Sequence, residues 1–295
     1  MLINRGNLDN LFTGYKAAFA KGFQSAPTAW DKVAMKVPST TRQETYAWLG
    51  QFPKMREWIG DRVIKGLAAN GMTIANKDFE STVSVSRNDI EDDTYGIFSP
   101  LMEEMGKSSA ELPDELTFSL LTKGFTEKCY DGQYFFDTDH PVGEENPVSV
   151  ANTDGGTGPA WFLLDTSRAF KPLIYQERRK PDFVSKDDAR DDNVFFRKEY
   201  IYGVDSRGAA GFGLWQLAFG SKQTLDEAHY QAARTALQTQ KGDSGRPLGV
   251  KPTLLVVSPA LEGTAIRLIK TPVLENGQSN PWFNSVEVLV TQWVQ

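Results

Sequence analysis

From Asn7 to Phe23, apolar residues fall at Leu8, Leu11, Phe12, Tyr15, Phe19 and Phe23. That spacing predicts an amphipathic helix of about four turns, with Asn7 or Asp9 as its cap. Its aromatic stripe has to be buried, either on the chain itself or on another subunit. Between Thr41 and Phe79 the long stripe gives way to Trp48, Trp58, short alternating pieces and Asn70-Gly71, a pair suited to a tight hairpin turn. These features predict an extended two-stranded ribbon. Such a ribbon is marginal in water, so it needs a surface from another molecule unless it folds back.

Alternation from Phe79 to Ser86 predicts a strand, and the acidic corner Asn88 to Asp93 follows it. Phe98, Leu101, Met102, Met105, Ser109 and Leu112 then line one helical face, with Ser99 as cap and Pro100 tolerated in the first turn. Gly106 weakens the middle of this spine. Pro113 fits the first turn of a second piece that carries Leu116, Leu120 and Leu121 to a stop at Gly124. Two collinear or kinked helices are therefore predicted, bending at Gly106 and Pro113. An aromatic loop follows, with Tyr130, Tyr134, Phe135 and Phe136 packing inward ahead of His140-Pro141.

The polar run between Pro147 and Pro159, including Asn152, reads as an exposed loop and a domain boundary. Beyond it, strands are predicted over 161–165, 172–178, 194–204 and 212–219, with a charged turn over 186–193. Thr224 and Glu227 form a capping-box pattern for a helix that Gly242 ends. A buried strand over 253–257, a helix started by Ser258-Pro259 and a last strand through Val286, Val288 and Val290 complete the pattern.

The chain of 295 residues, 40% hydrophobic and 24% charged, has the composition of a soluble globular protein large enough for one or two domains. No apolar run suggests a membrane span or a signal peptide. Cys129 is the sole cysteine, so no intramolecular bridge is available and a reducing cytoplasm is expected. The net charge of −6 argues against a dominant basic face that grips nucleic acid.

Candidate chemistry is sparse. Gly242-Asp243-Ser244-Gly245 matches the short sequence around a serine-protease nucleophile, but neither His140 nor His229 has the flanking residues of a matching base. The segment reads better as a turn after a helix. Asp131, Asp137, Asp139 and His140 match no calcium-loop spacing, and a packed aromatic loop accounts for them better. Cys129 reads as a small buried apolar residue, Arg178-Arg179-Lys180 as a solvated loop, and Gly208, Gly211 and Gly213 as punctuation in a sheet. No catalytic, metal-binding or cofactor-binding constellation is predicted. Abundant aromatic surface without catalytic groups favours assembly.

The order of these pieces resembles the Mu-like phage major head subunit (major capsid protein) family, a relative of the tailed-phage capsid fold. The matching segments are Ile90-Glu91-Asp92-Asp93 before the spine, Tyr130-Asp131-Gly132-Gln133-Tyr134-Phe135-Phe136 with His140-Pro141, and Lys171 to Arg179. Tyr202-Gly203-Val204-Asp205-Ser206-Arg207 and Pro252 to Pro259 complete the set, which spans nearly the whole chain.

The resemblance implies an α+β fold of the Hong Kong 97 type. It implies an N-terminal arm (1–40), an extended loop (41–87), a peripheral domain with the spine (88–221) and an axial domain (222–295). It further implies a non-enzymatic virion protein that forms pentamers and hexamers in an icosahedral shell around phage DNA, without sequence-specific binding, cofactor or membrane. Scaffold, portal and decoration proteins are the implied partners. Leu8, Phe12, Tyr15, Phe19, Trp48, Trp58, Asn70 and Gly71 are the expected inter-subunit contacts, and deleting residues 2–22 is expected to abolish shells while leaving a soluble fold. The alternatives are a non-viral, encapsulin-like shell enclosing cargo and, more distantly, a serine hydrolase using Ser244.

Overall fold

The structure is a computed structural model that describes residues 4–47, 49, 71–92, 96–143, 147–242, 245–274 and 277–294. The first helix, α1 (Arg5–Ser25), is capped by Asn4, whose side chain accepts the Asn7 amide; neither Asn7 nor Asp9 is the cap. A single turn, α2 (Trp30–Val33), leads to β1 (Ala34–Pro38) and β2 (Gln43–Tyr46). β3 (Met72–Ala75) and β4 (Lys77–Ser86) continue through α3 (Arg87–Asp92) to the spine α4 (Phe98–Lys123). Then come β5 (His140–Val142), β6 (Val148–Val150), β7 (Thr153–Gly156), β8 (Trp161–Leu164) and the long strand β9 (Leu173–Lys186). α5 (Asp192–Arg197) joins β9 to an equally long β10 (Glu199–Phe212). β11 (Ala218–Lys222), α6 (Glu227–Gln238), β12 (Leu254–Val257), α7 (Glu262–Lys270) and β13 (Glu287–Val290) complete the order.

Two larger sheets organise these pieces. The four-stranded sheet runs β1-β9-β10-β4 and the five-stranded sheet runs β13-β12-β8-β11-β7. In the first, β1 pairs parallel to β9, while β10 is antiparallel to both neighbours. Its distal half carries inward residues at alternate positions, and Val85, Phe183, Tyr200, Tyr202 and Val204 form one buried face. The second sheet buries Trp161 to Leu164 and Leu254 to Val257 on both faces, which explains their continuous apolar sequence. Because β7, β8 and β11 pair into one sheet with β12 and β13, the expected boundary at 221/222 falls inside β11 and inside that sheet.

α1 lies across α4 on the buried face of the four-stranded sheet. Tyr15 meets Tyr202 edge to face at 5.0 Å, and Phe19 stacks on Phe183 at 5.2 Å. The helices approach closely because each presents a glycine: a Cβ on Gly22 would collide with the Glu103 carbonyl, and one on Gly106 with the Phe19 carbonyl. Gly106 therefore serves contact between two backbones. α4 also runs unbroken through Pro113, where two separate pieces were expected. Proline removes one ladder hydrogen bond, and in the adjoining turns the hydroxyls of Ser109 and Thr117 fold back to donate to Met105 O at 2.7 Å and Pro113 O at 2.6 Å. Ser99 is not the cap; the helix begins after Ile97. Because α1 covers the spine, removing residues 2–22 would bare this buried face, so loss of the fold around the four-stranded sheet is expected in place of a soluble remnant.

Other expectations shift for local reasons. β3 pairs with β2 at Tyr46↔Met72, and Gly71 lies beside Thr45 and Ala47; Asn70, the other half of the expected turn, lies outside the described residues. Asp226, not Thr224, caps α6, its carboxylate accepting the His229 amide at 2.9 Å, and that helix ends at Gln238, short of Gly242. Val194 to Arg197 are helical, and Trp215 to Leu217 form a 3-10 turn ahead of β11. Arg178-Arg179-Lys180 belong to β9, not to a loop.

The base of the ribbon is tied down twice. Buried Gln176 accepts the Tyr46 hydroxyl at 2.8 Å and donates to Ile74 O and Asn76 Oδ1. Glu44 collects the Thr40 amide, the Ser39 hydroxyl and both the amide and hydroxyl of Thr41. These donors, the Thr40 amide first, hold its carboxyl down to about 2. A depressed folded value stabilises the corner above the ordinary carboxylate range, and that contribution is lost as pH falls through about 2. NMR titration is expected to find the Glu44 carboxyl still ionised below the ordinary glutamate range, and Glu44→Gln is expected to speed amide exchange in β2 and β3.

Candidate assembly surfaces

The aromatic loop that follows α4 is a buried plug. Phe135 stacks on Phe212 at 4.5 Å, and Phe136 lies against Phe125 and Phe162 at 4.9 and 5.3 Å. A Cβ on either Gly124 or Gly220 would reach the Phe136 ring at 2.7 Å, so the helix stops at a glycine because a ring occupies that space. Gly124 keeps right-handed helical angles, so left-handed freedom is not what it supplies. Tyr130 is half-buried and accepts from Gln216, whereas Tyr134 points outward, against the expectation for that ring.

Behind the plug sits a polar cluster. His140 is fully buried and stacks on Trp215 at 3.9 Å; its Nδ1 lies 2.7 Å from Asp131 Oδ2 and its Nε2 3.2 Å from Asn152 Oδ1. Asp131 also accepts the Cys129 thiol at 3.1 Å and the Gln133 amide at 3.1 Å. Asn152 is fully buried too, which overturns its reading as exposed loop. Its oxygen accepts the Asp137 amide, and its nitrogen donates to Phe135 O and Ala218 O. Burial alone would raise the Asp131 carboxyl, but the bonds from His140 and Cys129 hold it below its ordinary value. Burial pushes the Cys129 thiol far up, as expected of an inert core cysteine.

Ligand atoms of Cys129, Asp131 and His140 lie within 4.8 Å of one another, a grouping that could suggest a metal. Both imidazole nitrogens are already engaged, so the cluster has the chemistry of a brace between loop and sheet. His229 is half-buried on α6 with Nδ1 2.9 Å from Asp226 Oδ1. Ser244 lies outside the described residues.

Of the expected contact residues, Leu8, Tyr15 and Phe19 are buried on the chain's own spine and sheet, so this part of the α1 stripe is satisfied within the subunit. Phe12 is half-buried and stacks on Phe183 at 5.8 Å. Trp48, Trp58 and Asn70 lie outside the described residues. On the spine, Met105 and Gly106 face α1, Phe98 is half-buried and Leu101 is 44% exposed. Among the described residues, the most exposed aromatic ones are Phe195 and Phe196 at the tip of the β9–β10 hairpin, 72% and 75% accessible. Sequence reading missed them because two adjacent aromatics in a run of branched and charged residues look like strand.

Most of the chain, residues 8–294, matches the family profile of the Mu-like prophage major head subunit gpT. The chain belongs to that family. It is 42% identical to the major capsid protein of Escherichia phage Mu over 305 aligned positions, covering all of both chains. Among solved structures it is similar to the subunit in the bacteriophage JBD30 procapsid, with 48% identity and a TM-score of 0.88 over 99% of this chain and 100% of that one. The JBD30 capsid decorated with minor capsid protein trimers matches at 38% identity and a TM-score of 0.78, over 93% of each chain. This major head subunit therefore has the Hong Kong 97-type capsid fold and is a structural component of a tailed-phage virion. Among the described residues, no helix is long and apolar enough to cross a membrane.

Proposed function

We propose that copies of this head subunit form pentamers and hexamers that close into an icosahedral shell around phage DNA. The observation that carries this reading is the agreement of nearly the whole chain with a subunit of a procapsid. The ribbon founded on β2 and β3 reaches a neighbouring subunit, and the region of α6 and α7 gathers around the local axes. Phe12, on the half-exposed side of α1, is the member of the expected α1 set left to meet a neighbour. The acidic chain encloses nucleic acid without gripping it, because −6 formal charges per copy repel the phosphate backbone. Scaffold, portal and decoration proteins complete the head, the last by analogy with the decorated relative.

The role is structural. A hydrolase using Ser244 would need a histidine base, and His140 is sealed behind the plug with both nitrogens engaged. Electron microscopy of the purified protein over a concentration series is the direct test. Rings, sheets or shells are expected, and a compact monomer persisting at high concentration would overturn the reading. Copurification of one cargo enzyme with empty shells would favour the encapsulin-like alternative.

A further inference from the structure

Accepting the shell reading above, we propose that the Phe195–Phe196 tip is a knob that seats in the cleft between α1 and β9 of a second copy of this chain.

The knob is built to stay in place. No residue of α5 is buried, and the two rings hold one another edge to face at 5.0 Å. Asn193 fastens the tip to both hairpin strands by donating to Lys186 O at 3.0 Å and Glu199 O at 2.7 Å. Lys198 closes it in the left-handed conformation, φ 57°, where glycine or asparagine is the usual choice. Backbone held in that region at a surface tip signals a fixed shape. Presenting two aromatic rings on a rigid support lowers the ordering cost of docking them.

The receptor lies on the same chain. Phe19, Ala20, Phe23, Pro181 and Phe183 line a cleft of about 200 Å³ between α1 and β9, roomy enough for an aromatic ring. Phe23 at its mouth is 39% exposed. Charges match across the proposed contact. The knob carries Asp191 and Asp192 on the N-terminal side of the rings and Arg197 and Lys198 on the other, while the cleft offers Lys16 and Asp182. Acid can therefore meet Lys16 while base meets Asp182.

Knob and cleft are different patches, so the contact is heterologous and propagates from copy to copy until a ring closes. Each aromatic ring buries about 150–250 Å². That is a fraction of a standard interface of roughly 1,600 Å², so the contact is weak alone and gains strength through repetition in a shell.

The test uses the full-length chain. The double variant Phe195→Ser/Phe196→Ser removes the knob at exposed positions, and Ala20→Trp fills the cleft from within. Both are expected to keep the wild-type far-ultraviolet circular dichroism and cooperative melting. Both are also expected to raise the concentration needed for shell assembly roughly tenfold or more, as loss of a repeated aromatic anchor does. Pairing Phe196→Cys with Ala20→Cys should yield, on mild oxidation of assembled shells, a ladder of cross-linked chains under denaturing electrophoresis, absent from either single variant. Normal assembly by both surface variants, together with no ladder, while wild-type shells form in parallel, would overturn the knob-and-cleft contact alone. Failure of the wild-type chain to assemble would instead remove the shell reading, and this contact with it.

Discussion

Replacing Gly106 with leucine is expected to destabilise the subunit by about 3 kcal/mol or more, the upper end of the usual cost of overpacking. The melting temperature should fall by roughly 5 °C or more, the shift expected for a chain of this length. The reason is geometric. Side chains can often turn aside from an added group, but the obstacle at Gly106 is the Phe19 carbonyl, with the Phe23 amide at 3.0 Å. Gly22 faces the Glu103 carbonyl in the same way, so leucine there should have a similar effect. The two changes act on one crossing and are expected to be less than additive, because helices already forced apart leave room for the second side chain. Gly14→Ala supplies the opposite sign. Gly14 sits in the same helix with nothing within 4 Å of an added Cβ, so alanine should stabilise by about 0.5–1 kcal/mol. Thermal and denaturant unfolding of the unassembled subunit would separate the cases, and equal effects at Gly14 and Gly106 would contradict the crossing.

Asp131→Asn is expected to cost about 1–3 kcal/mol, because it replaces the buried carboxylate that accepts from the Cys129 thiol and the Gln133 amide and lies 2.7 Å from His140 Nδ1. The loss should also depend on pH. Asp131 is held below its ordinary value in the folded chain, so its stabilising contribution is complete above the unfolded carboxylate value of about 3.9. It disappears as pH falls through the lower folded value. Wild-type and Asp131→Asn unfolding curves should therefore lie far apart at neutral pH and converge below about pH 4. Asn152→Ala should be comparably severe, since it strands the Asp137 amide and two carbonyls along with His140. A gap between the two curves that persisted unchanged into acid would assign the asparagine effect to shape alone.

What the sequence disclosed follows from which interactions are local. β4, β8, β12 and β13 and the three principal helices are legible because alternation, continuous apolar runs and helical stripes each reflect a single buried face. The start of α6 is legible to within two residues, Asp226 winning the cap because its carboxylate reaches the His229 amide. Val194 to Arg197 misled because aromatic and branched residues favour strands, whereas the chain must reverse there between two long strands. Asn152 misled more deeply. Its partners come from residues 135, 137, 140 and 218, and no local pattern distinguishes an asparagine ringed by distant groups from one in water. Gly106 carried a correct signal of something special, but flexibility and close approach write the same letter. The assembly surface was the least legible part. The aromatic stripe of α1 drew notice and is mostly satisfied internally, while Phe195 and Phe196 were taken into a strand.

The sheet order has a further consequence, in time. β1 and β4 lie within the first 86 residues, yet their partners are β9 and β10, which end at residue 212. A chain emerging at about 5–20 residues per second therefore holds two unpaired strands for roughly ten seconds before either can close. Pairings this distant in sequence also make closure slow once the partners exist. β4 carries mostly polar residues on its outward positions, Lys77, Asp78, Glu80, Thr82 and Ser84, which help keep a waiting strand from pairing with another nascent chain. A protein made in many copies at once meets its first crowding problem on the ribosome, before any shell exists.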